Sequence, residues 1–331
     1  MSEQQREPRP QVSVTQQGGS PDGRGEVRMV PEGEVRSYYS QAVLKEPVWS
    51  WEIPWYFFAG GLAGASSNLA LVARLTGNEK LARRAHIAAL GGAAVSPVLL
   101  IMDLGRPERF YNMLRVFKPT SPMSVGTWVL SAFGSTTGIA AAHDLLGLFP
   151  RLGRFAEAAS ALLGLPLATY TAVLIADTSV PVWHEARREL PLVFAASSAA
   201  TAGAAAAILT PLEDAGPARR LAVGGALLEI GAVEVMKRRL GDFLAEPYEG
   251  GEPGRFDKLA KALSGLGAAV TAFAGHKQRM AAIAGGALVL AGAAFERWSI
   301  FKAGFLSAGD PKYTVLPQRE RLRQRDGSGD E

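Results

Sequence analysis

The sequence predicts an all-α integral membrane protein, a bundle of about eight transmembrane helices. Two observations carry that expectation. Apolar runs close to the length of a membrane span recur along the 331 residues, and charge is confined almost entirely to the stretches between them. A span needs about 20 apolar residues, so eight of them would take about half of this chain. The mean hydropathy is only +0.09 because polar stretches at both ends dilute the apolar runs.

The first stretch, residues 1–46, is rich in Gln, Pro, Gly, Ser and charge. It lacks the apolar core of a signal peptide and has no twin-arginine pair, so it reads as a disordered tail. That tail ends in a docking segment near Ser37-Tyr38-Tyr39. The transmembrane domain spans 47–308, and a polar C-terminal tail covers 309–331. Within the domain the apolar runs fall at about 53–73, 85–104, 122–142, 158–176, 190–212, 221–236, 259–274 and 280–300. The sixth contains Glu229 and Glu234. The seventh is trimmed at its start by Lys258 and Lys261, and the eighth is clean until Glu296 and Arg297. Pro97 and Pro166 fall inside spans and should kink them. Gly60 with Gly64, and Gly134 with Gly138, stand at the spacing that lets helix backbones approach in lipid, and ordinary tight packing accounts for both pairs.

An even number of spans puts both termini on one side, here side A. Side B has short loops carrying Arg74, Lys80, Arg83, Arg84, Arg151, Arg154, Arg219, Arg220, Lys277 and Arg279, against few acids. Side A has the longer, mixed-sign loops 105–121, 178–189 and 237–257. The positive-inside rule makes side B cytoplasmic and leaves the termini on the non-cytoplasmic side of a prokaryotic plasma membrane. The net charge of +4 and the pI near 9.4 therefore read as topology, with no nucleic acid implied.

Ionisable groups inside a membrane are costly, and each calls for an account. Asp103 and Asp177 end the second and fourth spans on side A, Glu234 lies toward the side A end of the sixth, and Arg297 in the side A half of the eighth. Trp49, Trp51, Glu52, Trp55 and Tyr56 open the first. Aromatic belts and snorkelling charges account for Trp49, Trp51 and Arg106. Glu229, Glu234 and Arg297 point instead to an internal polar site, or to an Arg–Glu pair that holds helices together. With no cysteine, the protein can build no iron–sulfur cluster of its own. His86 and His143 lie at span ends and His184 and His276 in loops; no pair faces the interior at mid-depth, so no haem is expected and all four read as surface histidines. No P-loop, dinucleotide fingerprint or HExxH stands in the sequence.

Three stretches carry a resemblance. They are Trp51-Glu52-Ile53-Pro54-Trp55-Tyr56 with the Gly-rich run to Gly64; Asp103-Leu104-Gly105-Arg106-Pro107-Glu108-Arg109-Phe110 with Phe117-Lys118-Pro119-Thr120-Ser121-Pro122-Met123; and Lys302-Ala303-Gly304-Phe305 running on to Tyr313. The chain resembles the NrfD/PsrC family, the membrane subunits of polysulfide reductase and its relatives, from about 45 to 319. The resemblance implies two four-helix bundles, a ferredoxin-like iron–sulfur subunit and a molybdopterin catalytic subunit as partners, and a quinone site near the iron–sulfur partner without haem. In the family a polar residue on the first span and an acid before the Pro turn line the quinone pocket; these positions match Tyr56 and Asp103. Family members can carry an Asn–His arrangement on the first span, where this chain has Ile53 and Tyr56.

The expected function is a quinone-reactive anchor, taking menaquinone or ubiquinone, within a multisubunit oxidoreductase. Tyr56 can donate to a quinone carbonyl, Asp103 can relay protons, and Arg106 can bias that carboxylate or contact the partner. Asp177, Glu234 and Arg297 are candidates for a proton path or a structural network. Two other readings stand beside this one: a transporter, which buried acids and broken helices would serve equally well, and a structural anchor without quinone.

Overall fold

The computed structural model describes residues 42–327. The docking segment expected at Ser37-Tyr38-Tyr39 lies outside them. Among the described residues there is no strand. Eight long helices form: α1 (Glu52–Leu75), α2 (Glu79–Met102), α3 (Pro122–Leu146), α4 (Pro150–Ala176), α6 (Leu190–Leu209), α7 (Gly216–Glu249), α8 (Gly251–Phe273) and α9 (Arg279–Gly309). A 3-10 turn at Pro107–Leu114 follows α2, a five-residue helix α5 (Pro181–Glu185) precedes α6, and α10 (Lys312–Gly327) closes the described residues.

Each long helix contains one of the apolar runs. Five of them, α1, α2, α4, α6 and α9, are long and apolar enough to cross a membrane. The other three are long enough but diluted: α3 by Ser, Thr and Gly, α7 and α8 by charge. α1 to α4 pack together as one group and α6 to α9 as a second, with α1 touching α6 and α9 and α4 touching α6 across the join. The protein is thus an all-α membrane bundle.

Helix ends follow local chemistry. Asn78 accepts from the Leu81 backbone N–H to start α2, and Ser121 accepts from Ser124 to start α3, where Pro122 takes the first position. Gly147, at φ 69°, ends α3 in the left-handed conformation glycine favours. The stretch 237–257, expected as a loop, is mostly helix. α7 continues to Glu249 through a break at Gly241 (φ 71°), and α8 starts at Gly251 (φ 56°). Both breaks use backbone that only glycine adopts freely, and the segment between them buries Ala245 and Tyr248.

The two glycine pairs diverge. A Cβ on Gly64 would stand 2.5 Å from the Gly164 carbonyl oxygen, so α1 and α4 meet backbone to backbone there. Around Gly134 and Gly138 nothing lies within 4 Å, so the packing expected for that pair is absent among the described residues.

Candidate functional site

The segment just before α1 is fastened to the end of α2. The Ser50 backbone N–H and hydroxyl both donate to Asp103 Oδ1, at 2.9 and 2.8 Å. The same hydroxyl lies 2.5 Å from Glu52 Oε2. The Ser50 hydroxyl thus sits between the carboxylates of Glu52 and Asp103 and ties the start of α1 to the end of α2. Trp49 stacks on Trp183 of α5, ring centroids 5.8 Å apart. Trp183 is itself pinned by donating to the Ile300 carbonyl of α9 at 2.8 Å.

One helical turn inside, Tyr56 is 1% exposed and its hydroxyl has no hydrogen-bond partner among the described residues. A buried phenol normally finds one, so this orphan needs an explanation. It lines a small cavity of about 40 Å³ together with Asp103, Thr127, Tyr170, Met113 and Met123. Tyr170 stands edge-on to Tyr56 at 6.4 Å. It fits only because α3 has Gly126 beside it, where a Cβ would come within 2.0 Å of the ring. The far side of Tyr170 lines an open cleft of about 560 Å³ with Asp177, His184 and Arg187.

The structure therefore brings Tyr56 and Asp103 to one cavity and sets Asp177 across the Tyr170 wall from them. Arg106 is exposed at the head of the 3-10 turn and forms no ion pair with Asp103 among the described residues. Glu234 is half-buried and paired with Lys261 of α8.

Arg297 belongs to a separate polar pocket in the second group. It is 1% exposed, lies 3.7 Å over the Phe194 ring, and donates to the Phe194 carbonyl at 3.1 Å. Its Nε and one terminal nitrogen are buried without a partner among the described residues, and the buried Glu229 carboxylate stands beside Ser197. Arg297 and Glu229 are within electrostatic reach but form no direct ion pair, so a simple Arg–Glu clasp is not what is built here. Nearby, Lys237 and Asp257 form a buried pair at 2.7 Å that Lys261 joins at 3.0 Å.

A third cluster escaped sequence reasoning. Arg74 of α1 contacts Asp144 of α3 at 2.7 Å and Glu157 of α4 at 2.7 Å, and His86 of α2 bonds Asp144. His86 is 2% exposed, which corrects the expectation of a surface histidine. The sequence offered one signal, the late, isolated acids Asp144 and Glu157 beside basic span ends. Tyr170 and Thr127 gave none, being ordinary residues of apolar spans.

With the geometry in place, comparison with known proteins decides the family. Residues 40–238 match the model described as "Polysulphide reductase, NrfD". The chain belongs to the NrfD family. The C subunit of polysulfide reductase from Wolinella succinogenes is 34% identical over 112 residues, covering 31% of this NrfD protein and 33% of that one. The match thus spans about a third of the length of this curated relative. The Tyr56 and Asp103 cavity falls inside the family-matched region, whereas Arg297 and the Lys237–Asp257 pair's acid lie beyond it.

Proposed function

We propose that this protein is the quinone-reactive membrane anchor of a multisubunit oxidoreductase, passing electrons between a partner's iron–sulfur subunit and menaquinone or ubiquinone, with eight helices crossing the membrane. The observation that carries the reading is the unpartnered Tyr56 hydroxyl, buried against Asp103 in a cavity at one end of the bundle. A quinone supplies carbonyl oxygens that accept hydrogen bonds and take up protons on reduction. Tyr56 is the donor for one such carbonyl, and the Ser50–Glu52–Asp103 trio is the proton store beside it. The residues fit the group in kind; in size, the 40 Å³ cavity is smaller than a quinone ring, and Tyr170 lines both it and the 560 Å³ cleft beside it.

Membership of the NrfD family supports a ferredoxin-like iron–sulfur subunit and a molybdopterin catalytic subunit as partners, and a chain without cysteine would leave the iron–sulfur clusters to them. Phe110, Tyr111 and Phe117, exposed on 105–121 beside the cavity, suit the docking of the first. Within the second helix group, Glu229, Arg297, Glu234 and the Lys237–Asp257 pair serve as a proton path or a structural network. A transporter reading draws on these same groups. Purification from native membranes separates the two: an anchor comes with cysteine-rich subunits and bound quinone, and recovery of a functional protein without partners would refute the anchor.

A further inference from the structure

We propose that the side B end of the groove between α7 and α8 binds an anionic phospholipid. The groove holds about 510 Å³ and is walled by Arg219, Arg220 and His276 at its mouth and by Val223, Gly224 and Ala272 below. Arg220 sits one helical turn, about 5.4 Å, into α7, the depth of a headgroup, and Val223 and Gly224 occupy the next turn. The mouth is therefore basic and the floor apolar, the order in which a phospholipid presents phosphate and acyl chain.

The positive charge at this mouth is not spent elsewhere. Arg219 uses one nitrogen on the Leu212 carbonyl at 2.9 Å, and Arg279 is committed to the carbonyls that end α6. Asp214, in the adjoining loop, pairs with Lys80 at 2.9 Å on the other side. No acid lines the groove, and neither Arg220 nor His276 forms an ion pair among the described residues. The floor is open as well: a Cβ at Gly224 would meet no atom within 4 Å. Leu227, Leu228 and Phe273 are exposed alongside, so the furrow opens toward lipid rather than toward another helix of this protein. Apolar walls commit the site to a lipid over a free phosphate ion.

Native mass spectrometry of the full-length protein, with whatever subunits accompany it, tests this with phosphatidylglycerol, phosphatidylcholine and inorganic phosphate as probes. Wild type should retain phosphatidylglycerol over phosphatidylcholine. The double variant Arg220→Gln, His276→Gln should lose that retention on the order of tenfold. Gly224→Leu, which fills the furrow and leaves the charges, should weaken phosphatidylglycerol as well. Equal retention of the two lipids by wild type, or undiminished retention by either variant, overturns the proposal. So does displacement of the lipid by millimolar inorganic phosphate, which would assign the basic pair to the ion.

Discussion

Tyr56 and Arg74 show what single residues do at the two ends of the first helix group. Tyr56 is placed by a tilted contact with Phe57 and an edge contact with Tyr170; it lines the cavity, and its hydroxyl has no acceptor among the described residues. Arg74 does the opposite, satisfying Glu79, Asp144 and Glu157 at once. Asp144 and Glu157 are almost fully enclosed, so removing the guanidinium leaves His86 as the one remaining partner of two buried carboxylates among the described residues. Arg74→Gln should lower stability by about 3 kcal/mol, read as a fall in melting temperature in detergent, because breaking a buried ion cluster from one side costs far more than the pair is worth. An unchanged melting temperature would make the cluster incidental. The pairing of Tyr56 with Asp103 was legible in the sequence because both stand at the side A ends of consecutive spans. The Arg74 cluster was not, since the sequence shows span ends but not which helices close around them.

Helices in this bundle touch where side chains are smallest. Gly64→Ala would drive a methyl to within 2.5 Å of the Gly164 carbonyl, and backbone cannot yield as a flexible side chain can. It should cost about 1–3 kcal/mol of stability, whereas Gly134→Ala, with open space around it, should be near neutral by the same thermal measurement. The existence and order of all eight long helices could be read from hydropathy. What could not be read is the stretch from Lys237 to Asp257. Charges there signalled a loop, but Lys237 and Asp257 neutralise each other inside the bundle, and Gly241 bends the helix without ending it. Helix α10 is likewise helical within a tail that reads as merely polar. Tyr313 is buried against Phe243 at 5.3 Å, and Lys312 reaches both oxygens of Glu246 at 2.9 Å. The hydrogen bonds from Lys312 and then Tyr313 hold the Glu246 carboxyl below the usual carboxylate range. A depressed carboxyl contributes at neutral pH, and its contribution fades as pH falls through the lowered value. Hydrogen-exchange protection across 312–320, relative to the intrinsic rate at each pH, should therefore be high at pH 7 and fall on acidification, and Glu246→Gln should show the weaker protection already at neutral pH.

At the scale of the molecule, polar function is divided among places. The Tyr56 cavity lies where α1 begins and α2 ends, beside the long loop 105–121. The Arg297 pocket lies in the second group and touches the first through α1, where a Cβ on Gly61 would stand 3.4 Å from the guanidinium. On the proposed function, electrons enter at the first of these places, and the second holds the buried polar groups of a proton path or a structural network. The central claim is that quinone chemistry takes place at Tyr56 and Asp103. It is tested most directly by quinone turnover of the assembled complex, measured across pH, for wild type, Tyr56→Phe and Asp103→Asn. The phenylalanine keeps the ring and removes one donor; the asparagine keeps the shape and removes the charge. With assembly intact, turnover should fall about 100-fold for each, as loss of a positioned donor or proton relay does. Wild-type turnover at every pH in both assembled variants would place the quinone elsewhere in the bundle.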